Sequence, residues 1–132
     1  MKRVLFVCVE NAGRSQMAAA FANHLGKGRI LAESAGTTPA EHVNPIVVKA
    51  MMEKGFDVSQ NRPAMLDLEQ AKRADMIITM GCSVAEICPA PLLKNTVDWG
   101  LKDPKGKSLE EVREIRDEIE RRVQKLLSEL HA

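Results

Sequence analysis

Two hydrophobic periods succeed one another along the chain. Lys2 to Cys8 reads KRVLFVC, a nearly continuous apolar and β-branched run of the kind that makes a strand buried on both faces. Val9 to Gly13 breaks it with polar residues and a glycine. From Arg14 the spacing turns helical: Met17, Ala18, Phe21, Ala22 and Leu25 recur every three or four positions, and Gly26 and Gly28 supply a stop. Ile30 to Ala35 predicts a second strand, closed by Gly36. Asn44-Pro45 opens a helix with proline in its first turn, carrying Val47, Val48, Met51 and Met52 and ending at Gly55. Asp67 to Arg73 predicts a short helix and Asp75 to Met80 a third strand. Gly81 to Leu93 reads as a loop with Cys82, Cys88, Pro89 and Pro91, and Thr96 to Trp99 as a fourth strand. Ser108 is a good N-cap, with Glu110 and Glu111 in the first turn of a last helix. Val112, Ile115, Ile119, Val123, Leu126 and Leu130 form its stripe. Its other face offers Asp117–Arg121 and Glu118–Arg122 pairs at i, i+4 and is expected to be solvated.

Strands alternating with helices predict an α/β domain whose open parallel sheet is covered on both faces. No repeat, linker or low-complexity stretch divides the 132 residues, which are expected to form one domain. In such sheets ligands bind beyond the carboxyl ends of the strands, where the winding reverses. The first strand ends at Cys8 and the third ends two residues before Cys82. If these strands are neighbours, both thiols overlook one crevice.

Charge and composition narrow the function. Nineteen basic residues against eighteen acidic ones leave a net charge of +1, which gives no bulk electrostatic reason to expect nucleic acid or an anionic membrane as partner. Aromatic content of 3%, with no tyrosine, argues against base-stacking platforms. The apolar run Val4 to Val9 is too short to cross a bilayer, and it lacks the cleavage site that would make Lys2-Arg3 the start of a secretory signal. A cytoplasmic location is expected. Three cysteines are an odd number without framework spacing, which points to thiol chemistry rather than structural bridges. The seven methionines, Met51, Met52, Met76 and Met80 among them, are expected at core positions.

Candidate chemistry concentrates between Cys8 and Ser15. A short loop from a buried strand into a helix can turn successive N–H groups inward, and the helix N-terminus adds further unpaired donors. Such a concave array, here Val9, Glu10, Asn11, Ala12 and Gly13, binds tetrahedral oxyanions. Arg14 can close the cradle with a planar, permanently charged fork. The same field favours the thiolate of Cys8, and Ser15 can donate its hydroxyl proton to it, so no histidine base is required. A buried cysteine alone is inert more often than not; Arg14 and Ser15 at this spacing make it a nucleophile candidate.

Cys-x5-Arg-Ser after an N-terminal strand resembles the low-molecular-weight protein tyrosine phosphatase fold. CVENAGRSQMA (Cys8 to Ala18), Glu33-Ser-Ala-Gly-Thr37, the Cys82/Cys88 pair, Asp98-Trp99 with Asp103-Pro104, and GKSLEEVREIRDEI resemble the arsenate reductases built on it. The resemblance spans essentially the whole chain. It implies a single three-layer domain with a four-stranded parallel sheet of order 2-1-3-4. It further implies reduction of arsenate to arsenite by a Cys8 nucleophile, with Cys82 and Cys88 as redox thiols and an external thiol donor, thioredoxin first. A monomer without bound cofactor or metal is expected. It also places the general acid at Asp103; Asp98, in the strand-like stretch, is the competing carboxylate, and Asp-Pro with Gly106 nearby is otherwise an ordinary turn.

This sequence departs from that pattern twice. Five residues, Ser83 to Ile87, separate Cys82 from Cys88, one fewer than in the thioredoxin-linked reductases of the family, which leaves the donor open. Asn11 matches a residue that helps hold potassium in some relatives, but the matching glutamate position is Ala19, so no such site is expected. The two competing functions are a phosphatase acting on phosphate monoesters, which the same cradle suits, and a non-catalytic oxyanion-binding or thiol-sensing module. Two cysteines without an adjacent histidine do not make a recognisable zinc site.

Overall fold

A computed structural model describes residues 2–80 and 96–130. The elements are β1 (Lys2–Cys8), α1 (Arg14–Leu25), β2 (Ile30–Gly36), α2 (Pro45–Met52), α3 (Leu68–Arg73), β3 (Met76–Thr79), β4 (Thr96–Asp98) and α4 (Leu109–Glu129). All strand pairs are parallel, in the order β2-β1-β3-β4. This is the expected low-molecular-weight phosphatase-like architecture. β1 is central, with Cys8 opposite Gly36 of β2 and Val7 opposite Thr79 of β3. The winding reverses there, so the crevice lies beyond Cys8.

The unbroken apolar run of β1 reflects its two buried faces. Val4, Phe6 and Cys8 join the larger core with α1, α2 and α4, whereas Leu5 and Val7 join a smaller one with Ala71 of α3 and Ile77 of β3. Phe6 packs its ring 5.7 Å from that of Trp99, which follows β4. At the helix starts, Asn44 caps α2 by accepting from the Ile46 N–H at 3.0 Å, and Ser108 with Glu111 forms a capping box on α4.

Three expectations need correction. α2 stops at Met52, and residues 53–55 turn away through Gly55 at φ +87°. Leu25 (38% exposed) and Met52 (50%) therefore lie at helix ends outside the core, and Met65 is also exposed. The polar face of α4 is not wholly solvated. Arg116 is buried and donates to the Ala50 carbonyl and to Glu53, both at 2.9 Å, where a cation satisfies the carbonyl end of α2. Asp117 pairs with this Arg116 at 2.8 Å instead of Arg121, while Glu118 holds both Arg121 and Arg122.

Candidate active site

The loop from Cys8 to Gly13 is turned inside out by its backbone bonds. The carbonyls of Cys8, Val9, Glu10 and Ala12 accept from the N–H groups of Thr37, Thr38, Ala40 and Asn44, at 2.8–3.2 Å. The Asn11 carbonyl accepts from the Gln16 side chain, and that of Gly13 from the Met17 N–H in α1. Every carbonyl of the loop thus faces outward, and the peptide geometry sends the N–H groups inward. Among the described residues the N–H groups of Glu10, Ala12, Gly13 and Arg14 have no acceptor. Gly13 precedes α1 without a side-chain cap, so the helix's own first donors add to the array.

Asn11 makes the turn possible. Its φ of +51° is the left-handed conformation that asparagine tolerates, and it aims the Asn11 N–H at Cys8 Sγ, 3.1 Å away. The Asn11 side chain accepts from the Ala64 N–H at 2.9 Å and donates to Ser15 Oγ at 2.6 Å. Ser15 Oγ in turn lies 2.8 Å from the sulfur. Cys8, Asn11 and Ser15 are each at most 2% exposed, so the sulfur meets the Asn11 N–H and the Ser15 hydroxyl in a site shielded from water.

Arg14 is buried at 6% exposure and its Nη1 donates to the carbonyls of Met80 and Leu101. These anchor one end of the guanidinium and leave its Nε–Nη2 edge for an anion. Nη2 stands 3.8 Å from Asp103 Oδ2. Asp103 is half exposed, with Oδ1 accepting from the Lys105 N–H at 2.9 Å, and Lys105 Nζ reaches Glu10 Oε2 at 3.3 Å across the mouth. The resulting pocket of about 30 Å³ is lined by Cys8, Glu10, Ala12, Gly13, Arg14 and Asp103, together with Asn44, Pro104 and Lys105. It is small, and no aromatic side chain is among the described residues that line it, which suits a compact oxyanion better than an aryl group.

Of the sequence-predicted site residues, Cys8, Glu10, Asn11, Ala12, Gly13, Arg14, Ser15 and Asp103 come together. Val9 contributes its backbone while its side chain is exposed. Asp98 does not line this pocket: it sits in β4, accepts from Thr79 Oγ1 at 2.8 Å, and borders a separate cleft beside Trp99 and Arg122. Cys82 and Cys88 lie outside the described residues. Among those described, no group of three or more His, Cys, Asp or Glu side chains is placed to hold a metal, and no helix is long and apolar enough to cross a membrane. Sequence reasoning misses the part played by Gly36. A Cβ there would lie 2.7 Å from the Val9 carbonyl oxygen and 2.8 Å from the Asn11 nitrogen, so β2 can only approach the loop as glycine.

Residues 3–132 match the family described as low molecular weight phosphotyrosine protein phosphatase. A chain from Halobacterium salinarum that carries a provisional arsenate reductase name is 44% identical over 131 residues, 96% of this chain and 91% of its own. A solved arsenate reductase in the phosphate binding state superposes with a TM-score of 0.88 at 36% identity, covering 99% of this chain and 100% of that one. A thioredoxin-dependent arsenate reductase from Corynebacterium glutamicum does so at 0.83 and 34% identity, covering 98% of this chain and 62% of the other.

Proposed function

Since the chain belongs to the low molecular weight phosphotyrosine protein phosphatase family, we propose that it turns that family's oxyanion cradle to the reduction of arsenate. The observation that carries this reading is the loop whose carbonyls all face outward around Cys8, closed by the buried Arg14. Arsenate oxygens accept from the inward N–H groups and from the Nε–Nη2 edge of Arg14. The Cys8 thiolate, held by Ser15 and the Asn11 N–H, attacks arsenic. Asp103, at the pocket's rim, gives a proton to the departing oxygen, which leaves as water.

An As(V)–S bond now joins arsenic to Cys8. Attack by a second thiolate, assigned to Cys82, on the Cys8 sulfur forms a disulfide and breaks the As–S bond. The bonding pair stays with arsenic, which departs as arsenite. Cys88 attacks Cys82 in turn and regenerates the Cys8 thiolate, leaving a Cys82–Cys88 disulfide for an external dithiol, thioredoxin first, to reduce. The relatives named arsenate reductases, one of them thioredoxin-dependent, support arsenate as the substrate and a thiol as the reductant.

Hydrolysis of phosphate monoesters is the second reading, supported by the family itself. Phosphate and arsenate share shape and charge, and the first half of the mechanism serves both. The two readings separate in one assay: purified protein with arsenate, thioredoxin, thioredoxin reductase and NADPH, set beside an aryl phosphate. Arsenite release coupled to NADPH oxidation, lost in Cys8→Ser, is expected. Robust aryl phosphate turnover without arsenate-dependent oxidation, with either the protein donor or a small thiol, overturns the reductase in favour of the phosphatase.

A further inference from the structure

Gln16 lies one residue beyond the Cys-x5-Arg-Ser signature and touches neither the sulfur nor the pocket, yet it is buried at 4% exposure with both ends of its amide engaged. Its Nε2 donates to two acceptors on one residue, the Asn11 carbonyl at 3.1 Å and Asn11 Oδ1 at 3.2 Å. Its Oε1 accepts from Asn61 Nδ2 at 3.1 Å. The direction of these bonds is dictated by one backbone group. The Ala64 N–H can only donate, so the Asn11 atom it meets at 2.9 Å is the oxygen and the other end of that amide is the NH2. That NH2 donates to Ser15 Oγ, which leaves the Ser15 proton free to be given to Cys8 Sγ, 2.8 Å away. The group of Gln16 facing the two Asn11 oxygens must then be its NH2, and its oxygen must face Asn61.

We infer that Gln16 is a positioning residue for the Cys8 nucleophile: it clamps Asn11 in its left-handed conformation and completes a one-way hydrogen-bond chain from Asn61 through Gln16, Asn11 and Ser15 to the sulfur. A non-glycine residue at φ +51° is held against an intrinsic preference for other conformations. Two bonds from Gln16, to the carbonyl and to the side chain of Asn11, keep it there. Release of Asn11 weakens both sulfur donors together, its own N–H and the Ser15 hydroxyl that it orients. Chains of this kind polarise each member, so the outer bonds strengthen the inner one.

The inference rests on Cys8 being the nucleophile, but its test needs neither arsenate nor an electron donor. Iodoacetamide alkylation of the full chain is followed from pH ~5 to ~9 on the peptide carrying Cys8 by mass spectrometry, for the parent, Gln16→Leu and Asn61→Ala. In Gln16→Leu the rate near pH 6 is expected to fall about three- to tenfold and to approach the parent rate at the alkaline end. Asn61→Ala, a change at the exposed end of the chain, shifts the profile the same way by about twofold. A purely structural Gln16 lowers the melting temperature and leaves the profile in place. Folded Gln16→Leu with the parent profile overturns the inference. Should Gln16→Leu fail to fold, Asn61→Ala decides, and an unshifted profile there overturns it equally. An arsenate assay that fails while the alkylation profile shifts sinks the proposed activity and leaves this inference standing.

Discussion

Pro104 rests on Gly13 so closely that a Cβ on Gly13 would lie 2.6 Å from Pro104 Cγ. The contact joins the last residue of the Cys8–Gly13 loop to the segment that carries Asp103, whose carboxylate stands 3.8 Å from Arg14 Nη2. Gly13→Ala must push the proline ring, and the backbone fused to it, away from the pocket. Turnover is expected to fall about ten- to a hundredfold, because misplacing a reacting group by about 1 Å costs that much. Alkylation of Cys8, which does not need Asp103, should stay within about twofold of the parent. Gly28→Ala is the control. Gly28 has φ +83° and a Cβ added there would meet nothing within 4 Å, so the change strains the backbone locally and leaves turnover unchanged. Equal losses of turnover in both variants would refute a specific role for the Gly13–Pro104 contact.

What the sequence reveals and what it hides divides along physical lines. Lys2–Cys8 and Arg14–Leu25 are legible because their periodicity is local and their burial one-sided or complete. Cys8, Arg14 and Ser15 are legible because the loop packs their chemistry into eight consecutive residues. Asp103, 95 positions from Cys8, comes from family resemblance alone, since an Asp-Pro step by itself reads as a turn. The ties that turn the loop outward are invisible. Thr37, Thr38, Ala40 and Asn44 act through backbone N–H groups, which any residue but proline supplies. Arg116 misleads for a related reason: only the arrival of α2's carbonyl end turns a polar helix position into a buried one. Leu25 and Met52 mislead because apolar spacing continues to the ends of helices that the core no longer reaches.

That junction between α2 and α4 predicts a pH dependence. Hydrogen bonds from Arg113, at 2.6–3.2 Å, and from Arg116 hold the Glu53 carboxyl down to about 2, from an ordinary 4.5. A carboxyl depressed in the folded state stabilises the fold fully above its unfolded value, and the contribution is lost as pH falls from about 4.5 toward 2. Urea unfolding of the parent should therefore show stability declining across that interval. Glu53→Gln is expected to be less stable than the parent at pH ~7 and to decline less steeply between pH ~4.5 and ~2. Parallel pH curves for the two proteins would show that this cluster is not coupled to folding.

The order of the thiol steps gives the remaining prediction. The Met80 N–H donates to the Val7 carbonyl at 2.9 Å, so the chain leaves β3 directly beside the residue that precedes Cys8. Cys82 follows two residues later in the sequence. Cys88 is six residues farther on. Cys8 itself is 2% exposed, and a disulfide formed on it is poorly placed for attack by a protein donor. A Cys8–Cys82 disulfide followed by its transfer to Cys88 resolves this, because each exchange needs only an in-line approach of one thiolate to the adjacent bond. Cys88→Ser protein treated with arsenate should release one equivalent of arsenite and stop, with Cys8 and Cys82 joined. Cys82→Ser should retain arsenic on Cys8 and release little arsenite, since no neighbouring thiolate then takes the sulfur. Mass spectrometry of the arsenate-treated variants after thiol blocking reads both states directly. Sustained turnover of Cys88→Ser with thioredoxin, without a Cys8–Cys82 bridge, would eliminate the relay and leave an external thiol acting on Cys8 itself.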